Sequence, residues 1–300
     1  VRIVVALGGN ALLHRGERPE QHIQTHRLAE VAPHLATVAN DHELVIVHGN
    51  GPQVGLLSSE NRDDPAIGTA YPLGDMVAES QGLIGLWIQQ ALHNAGALRP
   101  VVTLVCQTLV DAADPAWLTP TKFIGPNLTP ERADSLRTQL HWSFADDGGT
   151  PRRVVASPSP LAIIERDVIG DLLTAGVTVI AGGGGGVPVI RQASRLIAAD
   201  AVVDKDAVAA LLATELEADL LVILTDVPAV MANYGTSRQR AILGTTAGEL
   251  GAASFAAGSM GPKVDAAVRF VTATTRRAAI GSLDNAAAVI AGTNGTQIGC

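Results

Sequence analysis

Lysine is scarce in this sequence, and each lysine sits in a motif-like stretch. Lysine and arginine together number 21 among 300 residues, and the only lysines are Lys122, Lys205 and Lys263. Lys205 stands between two carboxylates, in Asp204-Lys205-Asp206, at a predicted helix start. Lys263 follows Gly258-Ser259-Met260-Gly261-Pro262, again at a predicted helix start, and Lys122 lies in Lys122-Phe123-Ile124-Gly125-Pro126. An ammonium group is a compact point charge that suits a phosphoryl group in transfer. Lysines that merely solvate an acidic protein would be numerous and scattered. The Asp204-x-Asp206 pair reads in three ways: as magnesium ligands, as carboxylates that hold Lys205 and Lys263 in place, or as a helix N-cap.

The second chemical signal is a strand that runs into a glycine turn, Ile46-Val47-His48-Gly49-Asn50-Gly51-Pro52-Gln53-Val54-Gly55. The glycines let the backbone approach another molecule closely. Pro52 suits the first turn of a helix. A helix start with N–H groups aimed outward holds small anions. Alone, the motif is equally an ordinary strand-to-helix turn. Two further stretches repeat it: Val4-Val5-Ala6-Leu7-Gly8-Gly9-Asn10, and Val177–Ile180 leading into Gly182-Gly183-Gly184-Gly185-Gly186. In a parallel sheet the carboxyl ends of strands share one edge, where ligands bind. Three such turns on that edge predict a phosphate-handling cleft.

Other chemistries are excluded or disfavoured. There is no G-x-x-x-x-G-K-[ST] loop, no G-x-S-x-G elbow and no Cys-x-x-Cys pair. His22, His26 and Glu30 fall on one helix face, but Ile23 stands where a metalloprotease motif needs glutamate, so the face reads as solvated and no resident metal is expected. A net charge of −8 argues against nucleic acid or an anionic membrane as partner. No apolar run is long enough for a transmembrane helix, and the first residues read as a strand rather than a signal peptide. Cys106 reads as a buried thiol, and a reducing, cytoplasmic location is expected.

These residues need a frame to position them. Predicted strands are Arg2–Leu7, Leu44–Val47, Val101–Val105, Val154–Val155, Val177–Ile180, Asp219–Leu224 and, as the last core strand, Ala278–Ile280. Predicted helices cover His22–Asn40, Asp75–Ala95, Pro160–Ala175, a stretch from Asp204 to about Glu217, and Val264–Thr275. In the second of these, Val77, Ile84, Ile88 and Leu92 mark the buried face, and Gly82 and Gly85 allow close packing. Trp87 reads as core. Asp111–Arg153 differs in character. Prolines interrupt it and charge is denser, so it reads as an inserted flap or subdomain. The tail, Gly292–Gly299, is small and polar. No linker separates independent domains.

The sequence resembles the carbamate kinases of the amino-acid kinase family. The match is carried by Val5-Ala6-Leu7-Gly8-Gly9-Asn10-Ala11, His48–Gly55, Ala78-Glu79-Ser80-Gln81-Gly82, Thr121-Lys122, Ile124-Gly125-Pro126, Gly183–Val189, Asp204-Lys205-Asp206, Leu224-Thr225-Asp226-Val227, Asn233-Tyr234-Gly235 and Gly258–Lys263. The resemblance implies one α/β domain, a three-layer α/β/α sandwich around a mixed, mostly parallel sheet. Residues 1–210 would form a carbamate/carbamoyl-phosphate lobe, with an inserted lid subdomain at about 111–153, and residues 211–300 a nucleotide lobe. It implies reversible phosphoryl transfer, ATP plus carbamate to ADP plus carbamoyl phosphate, with Mg2+ accompanying the nucleotide, in a homodimer. By motif position, Gly8, Gly9, Asn10, Gly49, Asn50 and Gly51 would hold the carbamate end. Lys205 and Lys263 would neutralise the moving phosphoryl, with Asp204 or Asp206 orienting them and Lys122 reaching in from the insertion. Gly183, Gly184, Gly185, Thr225, Asp226, Tyr234 and Met260 would serve the nucleotide. Ser159 departs from the pattern, standing where the family has lysine. Two alternatives are kept: a related kinase acting on another small acid, and a catalytically silent nucleotide-binding regulator.

Overall fold

A computed structural model describes residues 1–9, 12–13, 17–255 and 260–300. Asn10, Gly258 and Ser259 lie outside the described residues. Alternation builds the centre of the molecule. Along Arg2–Leu7, Val4 and Ala6 face one side and Ile3, Val5 and Leu7 the other, and all five are buried. Glu43–His48 and Leu220–Thr225 behave in the same way. Strands apolar on both faces need a cover on both faces.

They belong to an eight-stranded sheet in the order Gly244–Thr246, Thr296–Gly299, Arg277–Ser282, Leu220–Thr225, Arg2–Leu7, Glu43–His48, Thr178–Ile180 and Val101–Thr103. Every neighbouring pair is parallel except Arg277–Ser282 with Thr296–Gly299. Helices Gln21–Asp41, Leu73–Asn94 and Ala286–Ala291 cover one face through residues such as Leu35, Ile88 and Val289. Helices Arg166–Thr174, Lys205–Glu215 and Gly261–Thr274 cover the other through Leu173, Leu212 and Phe270. The result is the expected three-layer α/β/α sandwich around a mixed, mostly parallel sheet.

Between the third and fourth strands of the parallel set the chain leaves this body. Gln107–Val110 pairs antiparallel with Pro160–Ile163, and between them Lys122–Asn127, Pro151–Val155 and Ser143–Asp146 form a separate three-stranded sheet carrying helix Pro130–Leu140. Val54, Val77, Ile124 and Val155 pack in a small cluster that seats this subdomain on the body.

Four local expectations are corrected. Val154–Val155 does not resume the central sheet; these residues pair with Lys122–Phe123 in the subdomain, because a short β-branched run does not specify its partner strand. Pro160–Ile163 is a strand, and the helix begins only at Arg166. Ala278–Ile280 is not the last strand: in the tail Thr296 and Ile298 are buried alternately and extend the sheet. Of the two helix glycines, only Gly85 is needed for close packing, since a Cβ there would collide with Thr103, whereas at Gly82 it would meet open space.

Candidate active site

The sheet register brings the strand ends level. Leu7 lies beside both His48 and Leu224, so the turns after three adjacent strands form one edge. Two backbone amides stitch that edge together: Gly8 N–H donates to the Leu224 carbonyl at 2.8 Å and Gly49 N–H to the Leu7 carbonyl at 3.2 Å. Those two are therefore not aimed outward. The outward donors come from helix Gly51–Asp63, which begins in the turn. Asn50 occupies its N-cap position, but its side chain makes no cap bond and donates instead to Ser80 Oγ at 2.8 Å. The first turn of this helix has no side-chain cap, and an uncapped helix start suits an anion.

Above this edge stands the lysine cluster. Asp206, 2% exposed, accepts from Lys205 Nζ at 2.5 Å and from Lys263 Nζ at 3.3 Å. Asp204 caps helix Lys205–Glu215, with its Oδ1 accepting from the Asp206 N–H at 2.8 Å, while its Oδ2 meets Lys122 Nζ at 2.5 Å. The charge-holding and N-cap readings of the pair both hold, divided between oxygens and residues. The magnesium-ligand reading is corrected: both carboxylates are taken up by ammonium and N–H groups, and no cluster of three acidic, histidine or cysteine side chains among the described residues suits a metal. Lys205 reaches over the glycine turns, since a Cβ at Gly49 would lie 3.4 Å from its Cδ and Cε and 3.6 Å from the Gly9 Cα.

Electrostatics follow from burial and crowding. Burial lowers the Lys205 pKa, and the neighbouring Lys263 charge lowers it further, against the pull of Asp206 and Asp204. Burial works against charge on Asp204, but the Lys122 ammonium outweighs it and holds the carboxyl well below the usual carboxylate range. His48 is pushed down to about 4 by burial and, less, by Lys205, so its ring is neutral at pH 7. Its Nδ1 lies 3.0 Å from the Gly49 carbonyl.

Gly183, Gly184 and Gly185, expected to serve the nucleotide, lie packed behind the first glycine turn. All three are buried, and a Cβ at Gly183 would collide with the His48 ring, one at Gly184 with the Asn50 amide, and one at Gly185 with the Val203 carbonyl. They support the first glycine turn from behind, and two strands separate them from Thr225. Thr225, 5% exposed, sits beside Gly8 and donates to Asp226 Oδ1 at 3.0 Å. Asp226 is exposed, Tyr234 stands 76% exposed on a turn, and Met260 is half-buried just ahead of the Lys263 helix.

Sequence reasoning gave no role to Ser80, Gln81 or Thr108. Gln81 clamps the Cys106 backbone through both ends of its amide, at 2.9 and 3.2 Å. Thr108 donates to the Gly185 carbonyl at 2.7 Å. Their signal was present in part: two adjacent polar residues, Ser80 and Gln81, interrupt the apolar face of a long helix.

The model of the amino acid kinase family matches residues 1–282. This chain belongs to the amino acid kinase family. It is 46% identical to the carbamate kinase of Escherichia coli strain K12 over 296 residues, covering 99% of this chain and 98% of that one. It is 44% identical to the carbamate kinase of Rhizobium meliloti strain 1021, covering 99% and 93%. Among solved structures, carbamate kinase from Giardia lamblia bound to AMP-PNP superimposes with a TM-score of 0.91 at 37% identity, covering 99% of this chain and 98% of that one. In this member of the family, the glycine turns and the Asp206-centred lysines share one sheet edge.

Proposed function

We infer that the protein is a carbamate kinase, transferring a phosphoryl group reversibly between ATP and carbamate, and running often toward ATP from carbamoyl phosphate and ADP. The observation that carries this reading is one buried carboxylate, Asp206, gripping both Lys205 and Lys263 over the glycine turns. The near full-length likeness to curated carbamate kinases supports the substrate.

Gly8, Gly9, Asn10, Gly49, Asn50 and Gly51 hold the carbamate end, using the uncapped helix start. Lys205 and Lys263 stabilise the charge that spreads over the phosphoryl oxygens in transfer, where positioning and electrostatics supply most of the catalysis. Asp206 acts through both lysines as a positioning residue. Lys122 exchanges Asp204 for the anion as the subdomain, roughly Asp111–Arg153, closes as a lid; closure excludes water from a labile acyl phosphate. Thr225, Asp226, Tyr234 and Met260 serve the nucleotide, in a lobe formed by residues 211–300. Mg2+ arrives with the nucleotide phosphates as part of the substrate, where it neutralises charge; the engaged state of Asp204 and Asp206 does not fit a resident ion. The working unit is a homodimer, and the location is cytoplasmic. Among the described residues no helix is long and apolar enough to cross a membrane.

The test is ATP formation from carbamoyl phosphate and ADP, with acetyl phosphate as control donor. Turnover with the first and little with the second is expected. Preference for acetyl phosphate reassigns the acid, and absence of turnover with either leaves a nucleotide-binding regulator.

A further inference from the structure

The seam between the subdomain and helix Gly51–Asp63 holds a pocket that the catalytic reading does not use. Gly55 of the helix packs against Gly125 of the subdomain so closely that a Cβ at Gly55 would collide with its backbone. Beside this contact lies a hollow of about 60 Å³, lined by Ser58, Arg62, Arg132, Trp142 and Arg153 over a floor that includes Ile124. Ser58 lies seven residues beyond Gly51, roughly 10 Å farther along the helix at 1.5 Å per residue, so the pocket is displaced from the glycine turn.

Its charges are one-sided. Three arginines line the hollow and, among the described residues, no carboxylate does. The Arg153 guanidinium lies 3.5 Å from the centre of the Trp142 ring and the Arg62 guanidinium 5.3 Å from the same ring, so two cations share one indole. Arg153 donates to Ser58 Oγ at 3.2 Å and has no ion pair among the described residues. Arg62 directs its fork to Asp63 at 2.6 and 2.8 Å. Arg132 makes no side-chain hydrogen bond or ion pair among the described residues. The acids that act on this group are Asp63 and, more remotely, Asp200. Burial pushes Arg153 down to about 10, and Arg62 pushes the same way, against Asp200. Arg62 and Arg153 are partly buried and Arg132 is exposed, and with Asp63 engaged by Arg62 the hollow carries an excess of positive charge. Guanidinium forks match the oxygens of phosphate in direction and number, and the hollow has room for one tetrahedral oxyanion.

We propose that this pocket is a second anion site, separate from the lysine cluster, which takes a phosphate group and clamps the subdomain to helix Gly51–Asp63. Ser58 and Arg62 contact the anion from the body, and Arg132 and Arg153 from the subdomain. The phosphate is either the free ion or the end of a small phosphate ester. The proposal does not depend on the identity of the phosphoryl acceptor.

Calorimetric titration of the full chain at constant ionic strength, with inorganic phosphate and with phenyl phosphate in separate arms, tests it. Saturable binding is expected to persist in Lys263→Ala and to weaken at least tenfold in Ser58→Asp and in the double variant Arg132→Gln/Arg153→Gln. Ser58→Asp guards against misfolding, because its carboxylate supplies Arg153 with an internal partner; its melting temperature rises less with phosphate than the parent's. Amide exchange over residues 122–155 slows with phosphate in the parent only. Saturation by the free ion assigns phosphate itself, and saturation by phenyl phosphate alone assigns an ester. No saturation in either arm overturns the site, as does binding that is lost with Lys263 or unchanged in Ser58→Asp. Exchange unaltered by phosphate overturns the clamp.

Discussion

Asp204 and Asp206 stand two residues apart at the head of one helix, yet they hold different parts of the molecule. Asp206 points inward, is nearly inaccessible, and joins two lysines of the body. Asp204 caps the helix and reaches Lys122 on the subdomain, in a pair whose side chains are 32% and 24% exposed. A buried carboxylate with two cationic partners is costly to disturb, because removing it leaves uncompensated buried charge. A partly exposed pair is weaker and yields to salt or to a competing anion. The difference teaches how one short motif serves both a fixed centre and a releasable contact.

The largest effect is expected at the fixed centre. Asp206→Asn removes the buried carboxylate that Lys205 and Lys263 share; turnover falls at least 100-fold, and stability by about 3 kcal/mol, the usual cost of breaking a buried pair. Urea unfolding and saturating kinetics measure both. Near-normal turnover in this variant would erase the distinction between the two aspartates.

His48 sharpens the same contrast through pH. Its pKa of about 4 in the fold lies below the ordinary value of 6.5. The unfolded chain therefore takes up the proton first, so the stability due to the neutral ring is present above pH 6.5 and is lost as pH falls toward 4. Between pH 7 and pH 5 the loss is roughly 2 kcal/mol. Urea midpoints at the two pH values should show it in the parent and not in His48→Gln. An equal pH response in the two would mean that the imidazole is not held neutral under Lys205.

At the releasable contact the effect is smaller and falls on another parameter. Lys122→Ala should raise the KM for carbamoyl phosphate roughly tenfold, about 1.4 kcal/mol, and leave the KM for ADP nearly unchanged. The parent's KM for carbamoyl phosphate should depend on salt more steeply than the variant's. An equal rise in both KM values would place Lys122 in the fixed centre instead.

The smallest effect is expected at Ser159, whose N–H donates to Asp114 Oδ2 at 2.9 Å beside the neck of the subdomain. Ser159→Lys adds one exposed cation, and should shift the KM for carbamoyl phosphate by about 2- to 3-fold, within the range of an exposed ion pair. A shift in the KM for ADP instead would separate this stretch from the subdomain's contact.

Several features needed only the sequence. Continuous apolar, β-branched runs and glycine punctuation located the principal strands of the sheet, because a strand covered on both faces is apolar at successive positions. Lysine scarcity singled out three residues, and all three prove to be ion-paired with the Asp204–Asp206 motif. Pairing was decided only by tertiary structure. Val154–Val155 read as a strand of the main sheet, and their pairing with Lys122 and Phe123 emerges only when the subdomain closes on itself. The run Gly183–Gly185 read as an open cradle; packing made it buried support for His48 and Asn50, since the absence of a Cβ serves close approach to protein and to ligand alike. Asp204 and Asp206 were interchangeable in the sequence. Their roles diverged because successive positions on a helix start point about 100° apart, so residues two apart face different neighbours, one toward Lys263 in the body and the other toward Lys122 across the seam.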